Sequence, residues 1–127
     1  MAGIEVKEIQ TNRCGVVKVY VQGNLGDKNE TVFVTCHDMG TNPRSWQNFI
    51  DHPSMEEVRN HSVFLHICVP GQEENAEQWS LDTFPTLTEI GADIATILDA
   101  LNVKLVIGIG DGAGANVICR FAVSESC

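Results

Sequence analysis

The sequence is poor in basic residues, with 8 Lys and Arg against 17 Asp and Glu and a formal net charge of −9. Nucleic acids and anionic membranes attract surfaces that are rich in cations, so this balance argues against both partners. No apolar run approaches the roughly 18 residues of a membrane span, and the N-terminus lacks a basic segment followed by an apolar one. We therefore expect no membrane span, no secretory signal and a cytoplasmic location.

Paired cysteine motifs are also missing. The five cysteines include no C-x-x-C pair, and their number is odd. His52, His61 and His66 show no spacing that is typical of a metal site. Such a set is typical of reduced thiols in a reducing compartment. We expect no metal, no cofactor and no disulfide framework.

The apolar residues predict an α/β fold. Three short runs that do not alternate with polar residues, 31–36, 62–69 and 105–109, indicate strands that are buried on both faces of a sheet. Two earlier segments, 4–9 and 16–21, have strand patterns and are separated by a turn, so they indicate an antiparallel opening pair. Helical segments alternate with the three later strands, and this order predicts a mostly parallel sheet with flanking helices.

Two of the helices carry start signals. Ser54–Glu57 and Thr86–Glu89 both have the form of a capping box, and each follows a proline. After the second box, apolar residues recur at steps of three and four and predict one core-facing stripe: Leu87, Ile90, Ile94, Ile97, Leu98 and Leu101. A last short helix, 114–123, follows the strand at 105–109 after a tight turn.

This turn is the most informative segment. Gly110-Asp111-Gly112-Ala113-Gly114 matches the frame of a nucleophile elbow, G-x-S-x-G, in which small residues flank a strained central residue. The central position holds Gly112, which has no side chain and cannot attack a substrate. The frame therefore predicts the geometry of the elbow without its chemistry.

Other interpretations of the turn stay open. Gly110, Gly112 and Ala115 fit the dinucleotide pattern G-x-G-x-x-G/A, but that pattern belongs to a first βαβ unit, and here three strand candidates precede it. Glycines that only let a strand and a helix pack closely are a structural alternative. Asp111 is a poor nucleophile candidate, because Ile109 would then stand where the turn needs a small residue.

A second candidate segment, Cys36-His37-Asp38-Met39-Gly40, follows the third strand. In α/β-hydrolases this loop supplies one backbone N–H of the oxyanion hole, and the residue after the nucleophile supplies the other. The matching donors are the N–H groups near Met39 and Ala113. We expect His37 to shape the loop rather than to act as a base, and a turn histidine without chemistry is the alternative.

Three other side chains are candidates for a role in the core or in contacts with a partner. His66 lies within a buried-strand pattern, so we expect a core histidine whose hydrogen bonds are satisfied. Trp46 and Trp79 lie in loop-like segments, where they could anchor a partner or pack against the protein's own loops.

The combination of motifs is specific. In chain order it comprises His37-Asp38-Met39-Gly40-Thr41-Asn42, Val69-Pro70-Gly71-Gln72, Phe84-Pro85-Thr86, residues 107–115, and Arg120-Phe121-Ala122. Together these segments resemble the N-myc downstream-regulated (NDRG) family over nearly the whole chain, to about residue 123. The resemblance implies an α/β-hydrolase fold without hydrolase activity, in cytoplasmic proteins that act through protein partners in signalling, stress response and differentiation. Residues 110–114 and 37–40 would then be vestigial, with no catalytic residue.

The resemblance also sets expectations for the chain's extent. The family continues beyond the position where this chain stops, and the acid and histidine of a hydrolase triad come after the nucleophile. We therefore expect 1–127 to be the N-terminal portion of a single α/β-hydrolase-like domain, truncated after the elbow helix. The strand at 105–109 would be an exposed sheet edge, which favours self-association. The alternative functions are a weak hydrolase with His37 or Asp111 as base, and a small-anion site at the helix N-terminus 112–115.

Overall fold

A computed structural model describes residues 4–26, 30–38, 40–69 and 85–125. Five strands form one sheet in the order β1-β2-β4-β3-β5. The strands are β1 (Ile4–Gln10), β2 (Val16–Gln22), β3 (Thr31–Cys36), β4 (Ser62–Ile67) and β5 (Ile107–Gly110). The helices are α1 (Arg44–Ile50), α2 (Glu56–Asn60), α3 (Leu87–Ala100) and α4 (Ala113–Glu125), and a 3-10 turn, Pro53–Met55, precedes α2. None of the helices in these ranges is both long and apolar enough to cross a membrane.

The sheet is mixed. β1 and β2 form the predicted antiparallel pair, and β2 is also antiparallel to β4. β3 runs parallel to both β4 and β5, as the alternation of strands and helices predicts. Because the carboxyl ends of neighbouring parallel strands meet at one edge, the loop after β3 lies beside the turn after β5.

The core lies between the sheet and helices α3 and α4. Every residue of β4 is buried, as predicted for a central strand, and β3 is buried over its second half. The predicted stripe of α3 is confirmed: Ile90, Ile94, Ile97 and Leu98 are buried, and Leu87 and Leu101 pack at the margin of the same cluster. Each fully buried side chain of this kind contributes roughly 1.5–3 kcal/mol to folding.

The two predicted helix starts differ in outcome. The capping box at Thr86 is confirmed, because its hydroxyl accepts the N–H of Glu89 at 3.1 Å and the Glu89 carboxylate accepts the N–H of Thr86 at 3.1 Å. The box predicted at Ser54 is wrong. There the ring Nδ1 of His52 accepts the N–H of Ser54 at 3.1 Å, and Pro53 starts a 3-10 turn. Proline has its φ fixed for the first helical position, so the cap falls on the residue before it.

Two other predictions need correction. The last strand begins at Ile107 rather than at 105, and it is exposed or half-buried rather than buried on both faces, because it forms the end of the sheet. Trp46 lies in α1, a helix that the sequence interpretation missed, and not in a loop. Trp79, Phe84 and the turn residues after Val69 lie outside the described ranges.

Candidate functional site

The two candidate segments meet at the carboxyl end of the sheet. The last residue of β3, Cys36, pairs with the last residue of β5, Gly110. The pairing continues past the strands, since the N–H of Asp111 donates to the carbonyl oxygen of Cys36 at 3.3 Å. The loop that starts at His37 is therefore held against the turn that leads into α4.

The turn itself is tight and depends on glycine. Gly112 has a φ of 56°, in the left-handed region that favours glycine. A Cβ atom on Gly110 would lie 2.5 Å from the Cα atom of Ala115, and one on Gly114 would overlap the carbonyl oxygens of Cys36 and His37. Small residues two positions before and two after residue 112 are therefore a steric requirement. This is the crowding that the elbow frame predicts.

The carboxylate of Asp38 fills the space beside Gly112. A Cβ atom on Gly112 would overlap the Asp38 Cγ atom and both carboxylate oxygens. Asp38 Oδ1 also accepts the backbone N–H of Ala113 at 2.8 Å. The amide that would stabilise an oxyanion in a hydrolase is therefore already bonded to a carboxylate of the same chain. The N-terminus of α4 favours negative charge at this point, so the contact stabilises the start of the helix.

His37 uses both ring nitrogens within the fold. It is 1% exposed, and its Nε2 accepts the N–H of Val69, which follows β4, at 2.9 Å. A backbone N–H can only donate, so Nε2 carries the lone pair and Nδ1 carries the proton. Nδ1–H then donates to the carbonyl oxygen of Asp38 at 2.9 Å. With its lone pair engaged and its ring buried, His37 connects the loops after β3 and β4.

A side chain of α1 also forms a hydrogen bond with the backbone at the start of the loop after β3. The indole N–H of Trp46 donates to the carbonyl oxygen of Cys36 at 3.3 Å. The Thr41 hydroxyl donates to the carbonyl oxygen of Asp38 at 2.7 Å. Trp46 was missed as a site residue because α1 was missed. Its start signal was present in Asn42-Pro43, where the Asn42 side chain accepts the N–H of Arg44 at 2.9 Å.

The other predicted site residues are not brought into contact with a reacting centre. Asp111 and Gly40 are exposed, and Gly40 adopts a φ of 83° in the loop. Met39, the second expected oxyanion donor, lies outside the described ranges. In the part of the chain that the structure describes, no three His, Cys, Asp or Glu side chains are grouped so that they could hold a metal ion.

Cys36 directly precedes His37 and is the cysteine nearest in sequence to the candidate site. Its environment keeps the thiol unreactive. It is fully buried, and this burial raises the pKa of its thiol to about 12. A thiol attacks as the thiolate, so Cys36 stays protonated and inert at neutral pH. It does not replace the nucleophile that Gly112 lacks.

His66 lies away from the site, in the core as predicted. Its Nδ1 is 2.7 Å from the Thr35 hydroxyl, and its Nε2 is 2.9 Å from Gln22 Oε1. The Gln22 amide nitrogen in turn donates to the Asp51 carboxylate at 2.7 Å. Burial lowers the pKa of His66 to about 4, so the ring is neutral at physiological pH.

Comparisons with known proteins identify the family and the fold of the chain. A family model described as the Ndr family matches residues 7–126. An uncharacterized protein of Caenorhabditis elegans is 48% identical over 123 residues, which cover 96% of this chain and 38% of that protein. Protein NDRG3 of Xenopus tropicalis is 38% identical over 87% of this chain and 29% of its own length. An NDRG-like protein of Dictyostelium discoideum is 32% identical over 91% and 36%. The chain thus spans less than two fifths of the length of these relatives.

Solved structures show the fold. Epoxide hydrolase VrEH1 from Vigna radiata superposes with a TM-score of 0.75 at 18% identity, over 97% of this chain and 36% of that chain. Naproxen esterase from Bacillus subtilis gives a TM-score of 0.74 at 15% identity, over 98% and 40%. Identities this low show only a shared α/β-hydrolase-like architecture. By the family match and the identity to its relatives, the chain belongs to the Ndr family.

Proposed function

We propose that this chain is a non-catalytic α/β-hydrolase-like protein that acts through contacts with other proteins. The observation that carries the proposal is the Asp38 carboxylate, which lies where a side chain on residue 112 would have to be. Residues 110–114 and 37–40 are then the vestiges of an elbow and of an oxyanion region. The frame of the site is retained and now serves the packing of α4 on the sheet.

Each group that hydrolysis would need is either absent or already bonded within the fold. Gly112 offers no nucleophile, and the nearby Cys36 thiol is buried and protonated. The lone pair of His37 is bonded to the N–H of Val69, so the ring has no free acceptor to take a proton. The N–H of Ala113 is bonded to Asp38, whose negative charge would repel a developing oxyanion. The same charge opposes a small anion at the start of α4.

Family membership supports a role in signalling, stress response or differentiation, exercised through protein partners. Cys14 and Cys36 are buried thiols outside any disulfide, and this state suits a reducing, cytoplasmic environment. The acidic composition supports proteins rather than nucleic acids as partners.

A hydrolysis assay tests the non-catalytic assignment. The purified chain is incubated with p-nitrophenyl acetate and p-nitrophenyl butyrate, and we expect no release of nitrophenol above the buffer rate. Asp111→Asn tests the alternative base, and Asp99→Asn, an exposed position on α3, is the matched control. Hydrolysis that co-purifies with the chain, is lost in Asp111→Asn and is kept in Asp99→Asn would overturn the proposal in favour of a weak hydrolase.

A further inference from the structure

The junction between α1 and α2 depends on a histidine side chain. Pro53 has no backbone N–H, so the N–H of Ser54 is the first donor of the turn that leads into α2. His52 Nδ1 accepts this N–H at 3.1 Å. Asparagine, aspartate, serine and threonine usually cap a helix start, and none of them changes its charge near neutral pH. A capping histidine therefore couples the local structure to protonation.

The contact fixes the protonation state of the His52 ring. A backbone N–H can only donate a hydrogen bond, so Nδ1 carries the lone pair and the ring proton is on Nε2. A proton on Nδ1 would remove this acceptor from the N–H of Ser54 and would direct two hydrogens at each other. The capped form therefore excludes a proton at Nδ1, whereas a form in which the turn has opened can bind one. A fall in pH must then shift the population from the capped form to the open form.

A second contact of the same junction is cationic. Arg59 Nη1 donates to the carbonyl oxygen of Ile50 at 2.6 Å and to that of His52 at 3.3 Å, so its guanidinium joins α2 to the end of α1. Protonation of the His52 ring would add a second cation to the residue that Arg59 already contacts. The new charge would also lie at the start of a helix, where the helix dipole disfavours cations. Both effects destabilise the capped form once the ring is charged.

Titratable groups from three elements also lie around the junction. They are Asp51 at the end of α1, Glu56 and Glu57 in the first turn of α2, His61 at the C-terminal end of α2, and His66 in β4, which α2 contacts. Asp51 and His66 are both bonded to the Gln22 side chain. Glu56 and Glu57 are exposed, so water and salt screen their attraction to a charged His52 ring. These carboxylates therefore compensate only weakly for the lost cap.

We propose that His52 makes the junction of α1 and α2 a pH-sensitive switch, which is capped at neutral pH and opens in mild acid. Histidine is the side chain that changes its charge between about pH 5 and 8, so the switch operates in that range. α2 leads directly into the central strand β4, and opening of the turn loosens the connection between α1 and the sheet. The proposal goes beyond the non-catalytic role, because none of its contacts involves residues 37–40 or 110–114.

Amide hydrogen exchange followed by NMR tests the switch in the intact chain, between about pH 7.5 and about pH 5.5. After correction for the intrinsic pH dependence of exchange, protection of the Ser54 amide should fall about threefold or more in acid, the effect of a lost cap. His52→Asn keeps an acceptor that cannot titrate, so its protection should not fall. His61→Gln, at the other end of α2, is the matched control and should behave like wild type.

The ring nitrogens give a second readout that needs no variant. Their NMR chemical shifts at neutral pH should report a proton on Nε2 of His52 and none on Nδ1, and the Ser54 amide signal should move together with the ring as it titrates. Constant protection of Ser54, equal falls in wild type and His52→Asn, or loss of the response in His61→Gln would each contradict the switch. Neither readout depends on hydrolysis, so the non-catalytic assignment is left to its own assay.

Discussion

The carboxylate of Asp38 accepts the backbone N–H of Ala113 at 2.8 Å, across 75 positions of sequence. The contact joins the loop after β3 to the first residue of α4, where the helix dipole favours a negative charge. In a hydrolase of this fold, the same amide would face the oxyanion of a reacting substrate. Here the Asp38 side chain accepts that amide, and the contact packs the loop after β3 against the start of α4.

Removal of the Asp38 carboxylate should destabilise the fold. Asp38→Ala leaves the N–H of Ala113 without its acceptor at the start of α4, and we expect a loss of about 1–2 kcal/mol in the free energy of unfolding. Asp38→Asn keeps an acceptor oxygen and should lose less. Urea unfolding measures both, with Asp111→Asn as the exposed control. Equal stability of Asp38→Ala and wild type would show that the contact contributes nothing.

A side chain at position 112 should conflict with Asp38. Gly112→Ala places a Cβ in the carboxylate and in a left-handed conformation, so we expect a loss of about 1–3 kcal/mol. In the double variant with Asp38→Ala the steric part is relieved, and the combined loss should be smaller than the sum of the single losses. A double-mutant cycle from urea unfolding measures this coupling. Strict additivity would mean that the two positions do not compete for space.

Much of the fold could be predicted from the sequence, because its signals are local. The apolar stripe of α3, the capping box at Thr86 and the uniformly apolar run of β4 each depend on residues within a few positions. The strained turn at 110–114 was also recognisable, because glycine spacing reports directly on steric crowding. These features predicted the α/β fold, and the turn at 110–114 was one of the segments on which the family resemblance depends.

The contact that defines the site could not be predicted in the same way. The sequence predicted oxyanion donors near Met39 and Ala113 and gave Asp38 no role of its own, yet the Asp38 side chain accepts the N–H of Ala113. That contact depends on β3 and β5 being neighbours in the sheet, a fact of topology that no local pattern contains. The same dependence on strand order explains why the burial of β5 was predicted incorrectly. Its apolar run predicted burial on both faces, whereas its place at the end of the sheet leaves it exposed.

Asp93 connects the hairpin of β1 and β2 to α3 and should be important for stability. It is 1% exposed and accepts the N–H of Arg13 at 3.0 Å and of Cys14 at 2.8 Å. Asp93→Ala removes the acceptor of the Arg13 N–H and the shorter of the two hydrogen bonds of the Cys14 N–H, which also reaches the Thr11 hydroxyl at 3.2 Å, so we expect a loss of about 2–4 kcal/mol in urea unfolding. Asp99→Asn, exposed on the same helix, should change stability by less than about 0.5 kcal/mol. A similar small effect at Asp93 would show that the hairpin does not need this connection.

The stabilising contribution of Asp93 also has a defined pH dependence. Burial by itself would raise the pKa of Asp93, but hydrogen bonds from the Cys14 side chain, the N–H groups of Arg13 and Cys14, and the Thr11 side chain bring it below the ordinary value of 3.8. The contribution is therefore complete above the unfolded-state pKa and is lost as pH falls through the lower folded-state pKa. Asp93→Asn should not show this acid loss in unfolding curves.

The cysteines should differ sharply in reactivity. Cys119 is exposed, whereas Cys14 and Cys36 are buried, and burial is the main cause that raises the pKa of each of these two thiols to about 12. In the native protein, Ellman's reagent should modify Cys119 quickly and leave Cys14 and Cys36 unmodified until urea unfolds the chain. The variant Cys119→Ser combined with Cys127→Ser should lose the fast phase. Fast modification of Cys36 in this variant would contradict the buried, protonated thiol described above.

The buried His66 should make stability fall in mild acid. Its folded-state pKa is about 4, below the value of 6.5 for a free histidine, because burial disfavours the charged ring. The unfolded chain therefore binds a proton first as pH falls, and stability should drop between pH 6.5 and about 4, by about 3 kcal/mol at most. His66→Gln should be less stable at neutral pH. Because glutamine cannot titrate, the stability of this variant should depend less steeply on pH. His61→Gln, an exposed position, should keep the wild-type slope. Urea unfolding at a series of pH values measures all three, and identical slopes for wild type and His66→Gln would show that another group governs the acid response.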